Sequence, residues 1–347
     1  MSDSSPSQVL SPDHGIATAQ DSYRDSMTAV FRSLALTTRT EDGEPDENVQ
    51  LAARTADALN EVAEWANDGL SADPTACAWL SYLRWARASG ARPPANSPVP
   101  PTRDFDRDFP LLSGPAAPRG DSFAALATGE FGEVARPIDP TADSPEVLTR
   151  SVPYGLIPNF GWKALVPLVV DAAAITHGDP EAQTAAAATA MAVHAGVRAR
   201  ETDSAFQEIV TAVIDVSTGM TRPAPKTHAL LRMVGQVTDR TTLESADGAF
   251  SRAVADGTTA SSALALGLAA ANVAQAHEAG AAGSEGVLTR AFDLMGAHAA
   301  DSASARSVAA AVIAARWGMS ALPAGSDDAL STELDELARQ WRERWCP

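Results

Sequence analysis

The sequence predicts an all-α protein, and three observations lead to this prediction. Ala, Leu and Val supply most of the 45% hydrophobic residues, whereas aromatic residues make up only 5%. Ala is the best helix former, and the β-branched and aromatic runs that favour strands are scarce. Apolar residues recur at helical spacing along most of the chain, with no convincing strand alternation. We therefore expect a compact multi-helix orthogonal bundle.

The first third of the chain carries three predicted helices. One covers about residues 22–36. The second includes Val49–Ala63, where apolar residues lie at i, i+3, i+4 and i+7, and Gly69 follows at the position of a C-terminal cap. Asp73-Pro74 begins the third, because Asp is a good N-cap and Pro suits the first helical position. This helix is expected to end near Gly90.

The middle of the chain is less regular. Residues 91–120 are rich in Pro and charge and are predicted to be a long surface loop, in which the Asp104–Asp108 run is solvated. A short helix is expected at 122–128. From Pro153 onward the pattern predicts helix after helix, at about 163–176, 179–197, 202–218, 226–240, 243–254, 259–279, 285–297, 301–317 and 329–345.

The organisation of the chain follows from these segments. Residues 1–20 are rich in Ser, Pro and Asp and are expected to be a disordered tail. Residues 21–347 are predicted to form a single helical domain, because the N-terminal half is too short to fold alone. The 347 residues show no internal repeat of fixed period.

The acidic charge limits the classes of partner. A formal net charge of -18 repels nucleic acid and anionic membrane surfaces, and no local basic patch offsets it. No stretch has eighteen apolar residues free of charge. Cys77 and Cys346 form neither a zinc motif nor a disulfide framework. The sequence therefore predicts a cytoplasmic protein without nucleic-acid or membrane partners, and its Ala and Arg bias suggests a GC-rich bacterial genome.

The strongest local motif is Thr176-His177-Gly178-Asp179-Pro180, between two apolar segments. On one interpretation it is only a turn between helices, in which Asp179 caps the second helix and Pro180 takes the first position. On the other, a His beside an Asp at a helix N-terminus binds an anion or orients a water. Residue chemistry alone leaves both interpretations open.

This motif resembles the Thr-His-x-Asp-Pro turn of the ADP-ribosylglycohydrolases, the family that includes the enzyme releasing ADP-ribose from dinitrogenase reductase. Around it, Arg150–Pro153 is similar to the family's Met-Arg-x-x-Pro stretch. Residues 299–318 resemble its Gly-Gly-Asp-x-Asp-Ser/Thr turn and following helix. Residues 47–50 lie where the family has Thr-Asp-Asp-Thr-Gln, and 29–36 where it has Gly-x-x-x-Gly-Asp-Ala. The resemblance covers about residues 21–323.

The resemblance implies an all-α fold and two divalent cations, usually magnesium or manganese, that polarise the ribose and activate a water. Two hard cations close together require several anionic oxygens to offset their repulsion and replace lost hydration. The family supplies them from an Asp in the first helix, an Asp pair before the second, and two Asp plus a hydroxyl in the C-terminal turn.

Most of these ligands are absent from the aligned positions. The first-helix Asp falls on Ser33, and the second Asp of the C-terminal turn falls on Ala303. The hydroxyl, acidic pair and Thr of the second segment become Asp46, Glu47, Asn48 and Val49. The two glycines of the C-terminal turn are Ala299 and Ala300, and the glycine-rich substrate loop is replaced by residues 143–147.

The remaining residues define the expected site. Glu47 and Asp301 are the candidate catalytic carboxylates, and either one is a candidate general base toward water. Asp301 and Ser304 are expected to hold at most one weakly bound Mg²⁺ or Mn²⁺, or no cofactor. The candidate ligand-binding residues are His177, Asp179, Asn48, Ser302 and Ser304. Structural alternatives remain open, since Asp301 can cap a helix at 302–317 and Glu47 suits a first helical turn.

Three functions are consistent with this pattern. The first is a catalytically impaired pseudoenzyme that binds ADP-ribose, another nucleotide or nucleoside, or a protein partner in the family's central cleft. The second is an active hydrolase of an N- or O-glycosidic ADP-ribosyl bond with one metal or none. The third is an interaction or scaffold protein without a small ligand.

Overall fold

Helices make up nearly all the regular structure of the computed structural model, which describes residues 15–16, 21–37, 45–116, 120–202, 205–244, 248–255, 257–276, 284, 286–296, 303–323 and 328–346. Within these residues there is no β-sheet, which confirms the all-α class. The expected tail at 1–20 lies outside the described residues except for 15–16. The helices are α1 Asp21–Leu34, α2 Glu47–Asn67, α3 Pro74–Ala88, α4 Phe105–Asp108, α5 Pro110–Ser113, α6 Asp121–Ala127, α7 Glu146–Ser151, α8 Trp162–Ala174, α9 Pro180–Thr202, α10 Phe206–Thr218, α11 Pro225–Val234, α12 Arg240–Glu244, α13 Ala249–Val254, α14 Ala260–Ala276, α15 Val287–Gly296, α16 Ala303–Trp317 and α17 Ala329–Trp345.

Helix caps stand where the sequence chemistry predicts them. Asp73 accepts hydrogen bonds from the backbone N–H groups of Thr75 and Ala76 at 2.9 and 3.3 Å, so it caps α3. Gly69 and Gly90 follow α2 and α3 with φ angles of 75° and 98°. These left-handed conformations favour glycine, which explains why both helices end there.

Short helices differ most from the predictions. The expected helix 226–240 ends as α11 at Val234, and α12 begins at Arg240 because the Asp239 carboxylate accepts a hydrogen bond from the Thr242 N–H at 2.8 Å. The expected helix 243–254 is represented by α12 and α13. The sequence also gave no sign of α7, which continues into a 3₁₀ turn at Val152–Leu156. Such short elements depend on tertiary contacts more than on local periodicity.

The centre of the fold consists of α9, α14 and α16, which are rich in alanine and almost wholly buried. Small side chains let these helices approach closely. A Cβ at Gly267 of α14 would lie 2.5 Å from the Ala305 carbonyl oxygen of α16. One at Gly196 of α9 would lie 2.9 Å from the Ala315 Cβ. The alanine-rich composition therefore reflects close helix packing as well as helix propensity.

The segment 91–120, predicted as a surface loop, contains α4 and α5 and buries Phe105, Phe109 and Leu112. The interpretation of the Asp104–Asp108 run as solvated is wrong for Asp106. Its carboxylate is ion-paired with the Arg54 guanidinium of α2, which is 1% exposed. Sequence spacing could not reveal this pair because the two residues lie 52 positions apart.

The last helix, α17, packs against the first. Its Trp341 donates a hydrogen bond from Nε1 to the Tyr23 hydroxyl at 3.0 Å and makes an edge contact with the Phe31 ring. Asp335 is ion-paired with Arg32 of α1 at 2.6 Å. The two ends of the described chain therefore share one hydrophobic core. None of the described helices is both long and apolar enough to span a membrane.

Candidate functional site

The Thr176–Pro180 turn joins α8 to α9 and is held by backbone hydrogen bonds. Pro180 begins α9, and the Asp179 carboxylate accepts a hydrogen bond from the Glu181 N–H at 2.7 Å, as the capping interpretation predicts. The Gly178 N–H donates to the Asp139 carbonyl oxygen at 3.1 Å. A Cβ at Gly178 would lie 2.2 Å from that oxygen, so only glycine fits this close approach.

The His177 ring is fully buried behind this turn, and both of its nitrogens have partners. Nδ1 lies 2.8 Å from the Thr176 hydroxyl, and Nε2 lies 2.9 Å from the Ser144 hydroxyl. The Thr176 hydroxyl also accepts a hydrogen bond from the Arg150 guanidinium at 2.6 Å. With these partners, neither ring nitrogen is left for an external ligand.

The partners assign the His177 tautomer. The Glu146 carboxylate can only accept, so the Ser144 hydroxyl donates its proton to Glu146 at 3.0 Å and accepts from Nε2 of His177. In the neutral ring Nδ1 then carries no proton and accepts from the Thr176 hydroxyl. Burial, and next the positive charge of Arg150, lower the pKa of His177 well below 6.5. The imidazole is therefore neutral and forms part of a directed chain from guanidinium to carboxylate.

Glu146 ends this chain and also caps a helix. Its carboxylate accepts hydrogen bonds from the backbone N–H groups of Asp121 and Ser122, at 2.6 and 3.3 Å, at the start of α6. The candidate ligand atoms of Asp121, Glu146 and His177 all lie within 4.8 Å of one another, a grouping that could hold a metal ion. Glu146 and His177 already have protein partners, so a metal would have to displace these hydrogen bonds.

The start of α2 carries three of the residues singled out in the sequence. Asp46 caps the helix: its Oδ1 accepts from the N–H groups of Asn48 and Val49, at 3.0 and 3.1 Å. Its Oδ2 accepts from the Asn48 side-chain amide at 2.9 Å. Glu47 is half-buried in the first turn. The Asn48 side chain is 9% exposed, and its carbonyl oxygen Oδ1 is buried without a hydrogen-bond partner among the described residues.

The other expected metal positions lie on α1 and α16. Ser33 is fully buried, and its hydroxyl donates to the Val30 carbonyl oxygen of its own helix at 2.7 Å. Ser304 is buried in the first turn of α16. One turn further, Ser307 donates to the Thr37 hydroxyl at 3.0 Å, so the start of α16 lies beside the end of α1. Asp301 and Ser302 lie outside the described residues.

Helix α7 brings these segments into one region, since it packs against α2, α9 and α16. It also carries Arg150, which donates to the Thr176 hydroxyl, and Glu146, which is linked to His177 through the Ser144 hydroxyl. The resemblance to a Met-Arg-x-x-Pro stretch pointed to Arg150. Ser144 and Glu146 were missed because nothing in their spacing links them to His177, 33 and 31 positions away.

The described residues do not fit a pair of divalent cations. Ser33 directs its hydroxyl to its own helix, and both oxygens of Asp46 are engaged at the start of α2. Val49 is part of the apolar core. Glu47 is then the only carboxylate at the described aligned positions that is not used as a cap, whereas two hard cations require several anionic oxygens.

Comparisons with known proteins agree with this fold and set of motifs. The model of the ADP-ribosylglycohydrolase family matches residues 8–346, so the chain belongs to that family. Among solved structures, the chain is similar to one titled "ADP-ribosylglycohydrolase-related protein complex", with a TM-score of 0.55 and 17% sequence identity. The match covers 94% of this chain and all of that one, and it shows the fold alone. No curated protein matches the chain.

Proposed function

We propose that this chain is a catalytically impaired member of the ADP-ribosylglycohydrolase family that binds a nucleotide-like ligand, ADP-ribose being the first candidate. The observation that carries the proposal is the set of hydrogen bonds that the Asp46 carboxylate accepts. Both oxygens of its carboxylate are engaged by the backbone and side chain of its own helix start. The carboxylate of Asp46, at the first position of the family's second metal segment, therefore stabilises a helix and leaves few lone pairs for cations.

Asn48 supports ligand binding in particular. Its Oδ1 is a buried acceptor that has no donor among the described residues, and such a group costs about 1–3 kcal/mol when it stays unsatisfied. A ribose hydroxyl or a nucleobase amino group would supply the missing donor. Glu47, on the same helical turn, would accept a second hydrogen bond, and Ser304 of α16 would contribute a hydroxyl. Ser302 lies outside the described residues and stays a candidate for a second hydroxyl from its place in the sequence. A cytoplasmic protein partner at the same region is the other occupant that we consider.

The decisive experiment combines hydrolysis and binding. Incubation with an ADP-ribosylated arginine substrate and Mg²⁺ or Mn²⁺ should release no free ADP-ribose above the uncatalysed background. ADP-ribose alone should raise the melting temperature, because a ligand that binds only the folded state stabilises it. The N48A variant should lose this shift. The matched control is N67A, at the far end of α2, where the exposed side chain donates a hydrogen bond to the Arg344 carbonyl oxygen.

The active-hydrolase alternative makes the opposite prediction. Release of ADP-ribose that disappears in E47A or D301A, or micromolar binding of Mg²⁺ or Mn²⁺ that D301A abolishes, would overturn the impaired-enzyme proposal. If ADP-ribose and a panel of nucleotides and nucleosides all leave the melting temperature unchanged, ligand binding is also wrong, and a scaffold role without a small ligand becomes the better account.

A further inference from the structure

A groove of about 470 Å³ lies along the outer face of α8, against the end of α10. Its walls are mainly apolar, from Trp162, Val166, Val170, Val216 and Met220, and its charged lining residues are Lys163, Asp171 and Arg222. None of the family's aligned positions lines it. Its volume falls within the range of small-molecule sites, which are mostly apolar with a few polar groups that fix orientation.

On the groove side, α8 carries apolar residues between the exposed Lys163 and Asp171, in addition to the apolar residues on its core side. Leu165 and Val169 are fully buried in the core, whereas Val166 remains half-buried and Pro167 exposed on the groove side. A surface helix ordinarily presents polar residues on its outer face. The apolar residues on the groove side of α8 are therefore in contact with water, which costs free energy. An apolar ligand that covered them would remove this cost.

Arg222 lies in the same groove, half-buried, with its Nε atom buried and without a hydrogen-bond partner among the described residues. The nearby acid does not neutralise it. Burial raises the pKa of the Asp171 carboxyl, Asp73 raises it further, and Arg222 offsets only part of this effect. Among the described residues, Arg222 forms no ion pair or hydrogen bond, so its guanidinium is open to an anionic ligand.

We propose that this groove binds a small carboxylate with an apolar body. The ligand carboxylate would be ion-paired with Arg222, where the planar guanidinium can donate two parallel hydrogen bonds. The apolar body would lie along Trp162, Val166 and Val170 of α8. This site is separate from the proposed nucleotide site, so either proposal can fail while the other holds.

Octanoate is the probe that tests the proposal, with octan-1-ol as the uncharged analogue. Titration calorimetry should show octanoate binding to the full chain, and hexanoate should bind about 15-fold more weakly, since each buried methylene is worth about fourfold in affinity. R222Q should weaken octanoate at least tenfold and leave octanol nearly unchanged. R232Q, an exposed arginine on the next helix, is the matched control and should bind octanoate as the wild type does.

Two further variants keep the proposal falsifiable if R222Q folds poorly. V166S should weaken octanoate and octanol alike, because it removes apolar contact without changing charge. D171N should tighten octanoate, because it removes a like charge from the groove. The proposal is overturned if octanoate fails to bind the wild type, if R222Q binds it with unchanged affinity, or if D171N weakens it.

Discussion

His177 is a residue whose role follows from its neighbours. Thr176 and Ser144 engage its two nitrogens, and Arg150 and Glu146 lie at the two ends of the chain of hydrogen bonds. In this position the imidazole orients the turn before α9 and connects it to the cap of α6. The ring is neutral because burial, and next the positive charge of Arg150, lower the pKa of His177 well below 6.5.

Stability should therefore fall as the pH drops below about 6.5. The folded state holds the pKa of His177 well below that of the unfolded chain, so the unfolded state takes up a proton first and is favoured by acid. We expect the unfolding free energy to decrease by up to about 1.4 kcal/mol per pH unit in this window. Urea denaturation at pH 7.5, 6.5 and 5.5 measures the slope.

The matched variants are H177Q and H228Q. H177Q should be less stable than the wild type at pH 7.5, because it breaks the buried chain of hydrogen bonds, and it should lose most of the slope between pH 6.5 and 5.5. H228Q, at a half-buried position on α11, should keep the slope. An unchanged slope in H177Q would contradict the role given to this imidazole.

Among the individual residues of the candidate site, some were predictable from the sequence. The Asp179 cap and Pro180 start follow from local chemistry, and the structure confirms both. The partners of His177 were not predictable, because Ser144 and Arg150 approach it only through the packing of α7 against α9. The expected roles of Glu47, Asn48 and Ser304 in binding stay predictions that depend on a ligand.

Helix α2 shows how charged groups organise an element. Its Arg54 is ion-paired with Asp106 and lies over the Phe105 ring at 4.9 Å from the centroid. Its Asp57 accepts hydrogen bonds from Arg84 of α3 at 2.8 Å and from Arg103 at 3.0 Å. These contacts hold the segment 103–106 against α2 and α3. This part of the connection between α3 and α6 therefore belongs to the packed structure.

Removing one partner from this network should be costly. D106A leaves the nearly fully buried Arg54 without its carboxylate, and an uncompensated buried charge costs about 3 kcal/mol or more. Chemical denaturation of D106A should show this loss at pH 7. D104A, two positions earlier and directed to solvent, should have little effect. Equal losses in the two variants would mean that the ion pair adds nothing beyond loop packing.

The length of a helix decides whether the sequence can predict it. The long helices α2, α3 and α17 were placed to within a few residues, because each has local caps or a sustained apolar period. Helices α4, α5 and α7 have four to six residues, too few for a period. Their formation depends on side chains that are distant in sequence, such as Glu333 of α17, which accepts hydrogen bonds from the Leu111 and Leu112 N–H groups of α5 at 3.0 Å.

For the whole molecule, the central feature is that the first and last described helices meet. Helices α1 and α17 pack together, and α1 also contacts the alanine-rich α16, whereas α17 also contacts α2. Arg344 of α17 is ion-paired with Glu64 of α2 at 2.5 Å, and Arg200 of α9 is ion-paired with Asp25 of α1 at 2.6 Å. Such long-range closure favours cooperative unfolding as one unit.

The W341A substitution tests this closure and the prediction of a single domain. Trp341 is fully buried between Tyr23 and Phe31, so truncation should cost about 3–5 kcal/mol. If α1 and α17 belong to one cooperative unit, circular dichroism and tryptophan fluorescence should report the same lowered midpoint in a single transition. W65A removes an exposed tryptophan, 44% accessible at the end of α2, and should leave the midpoint nearly unchanged. Two separate transitions in W341A, one of them at the wild-type midpoint, would show that the C-terminal helices fold independently of the rest.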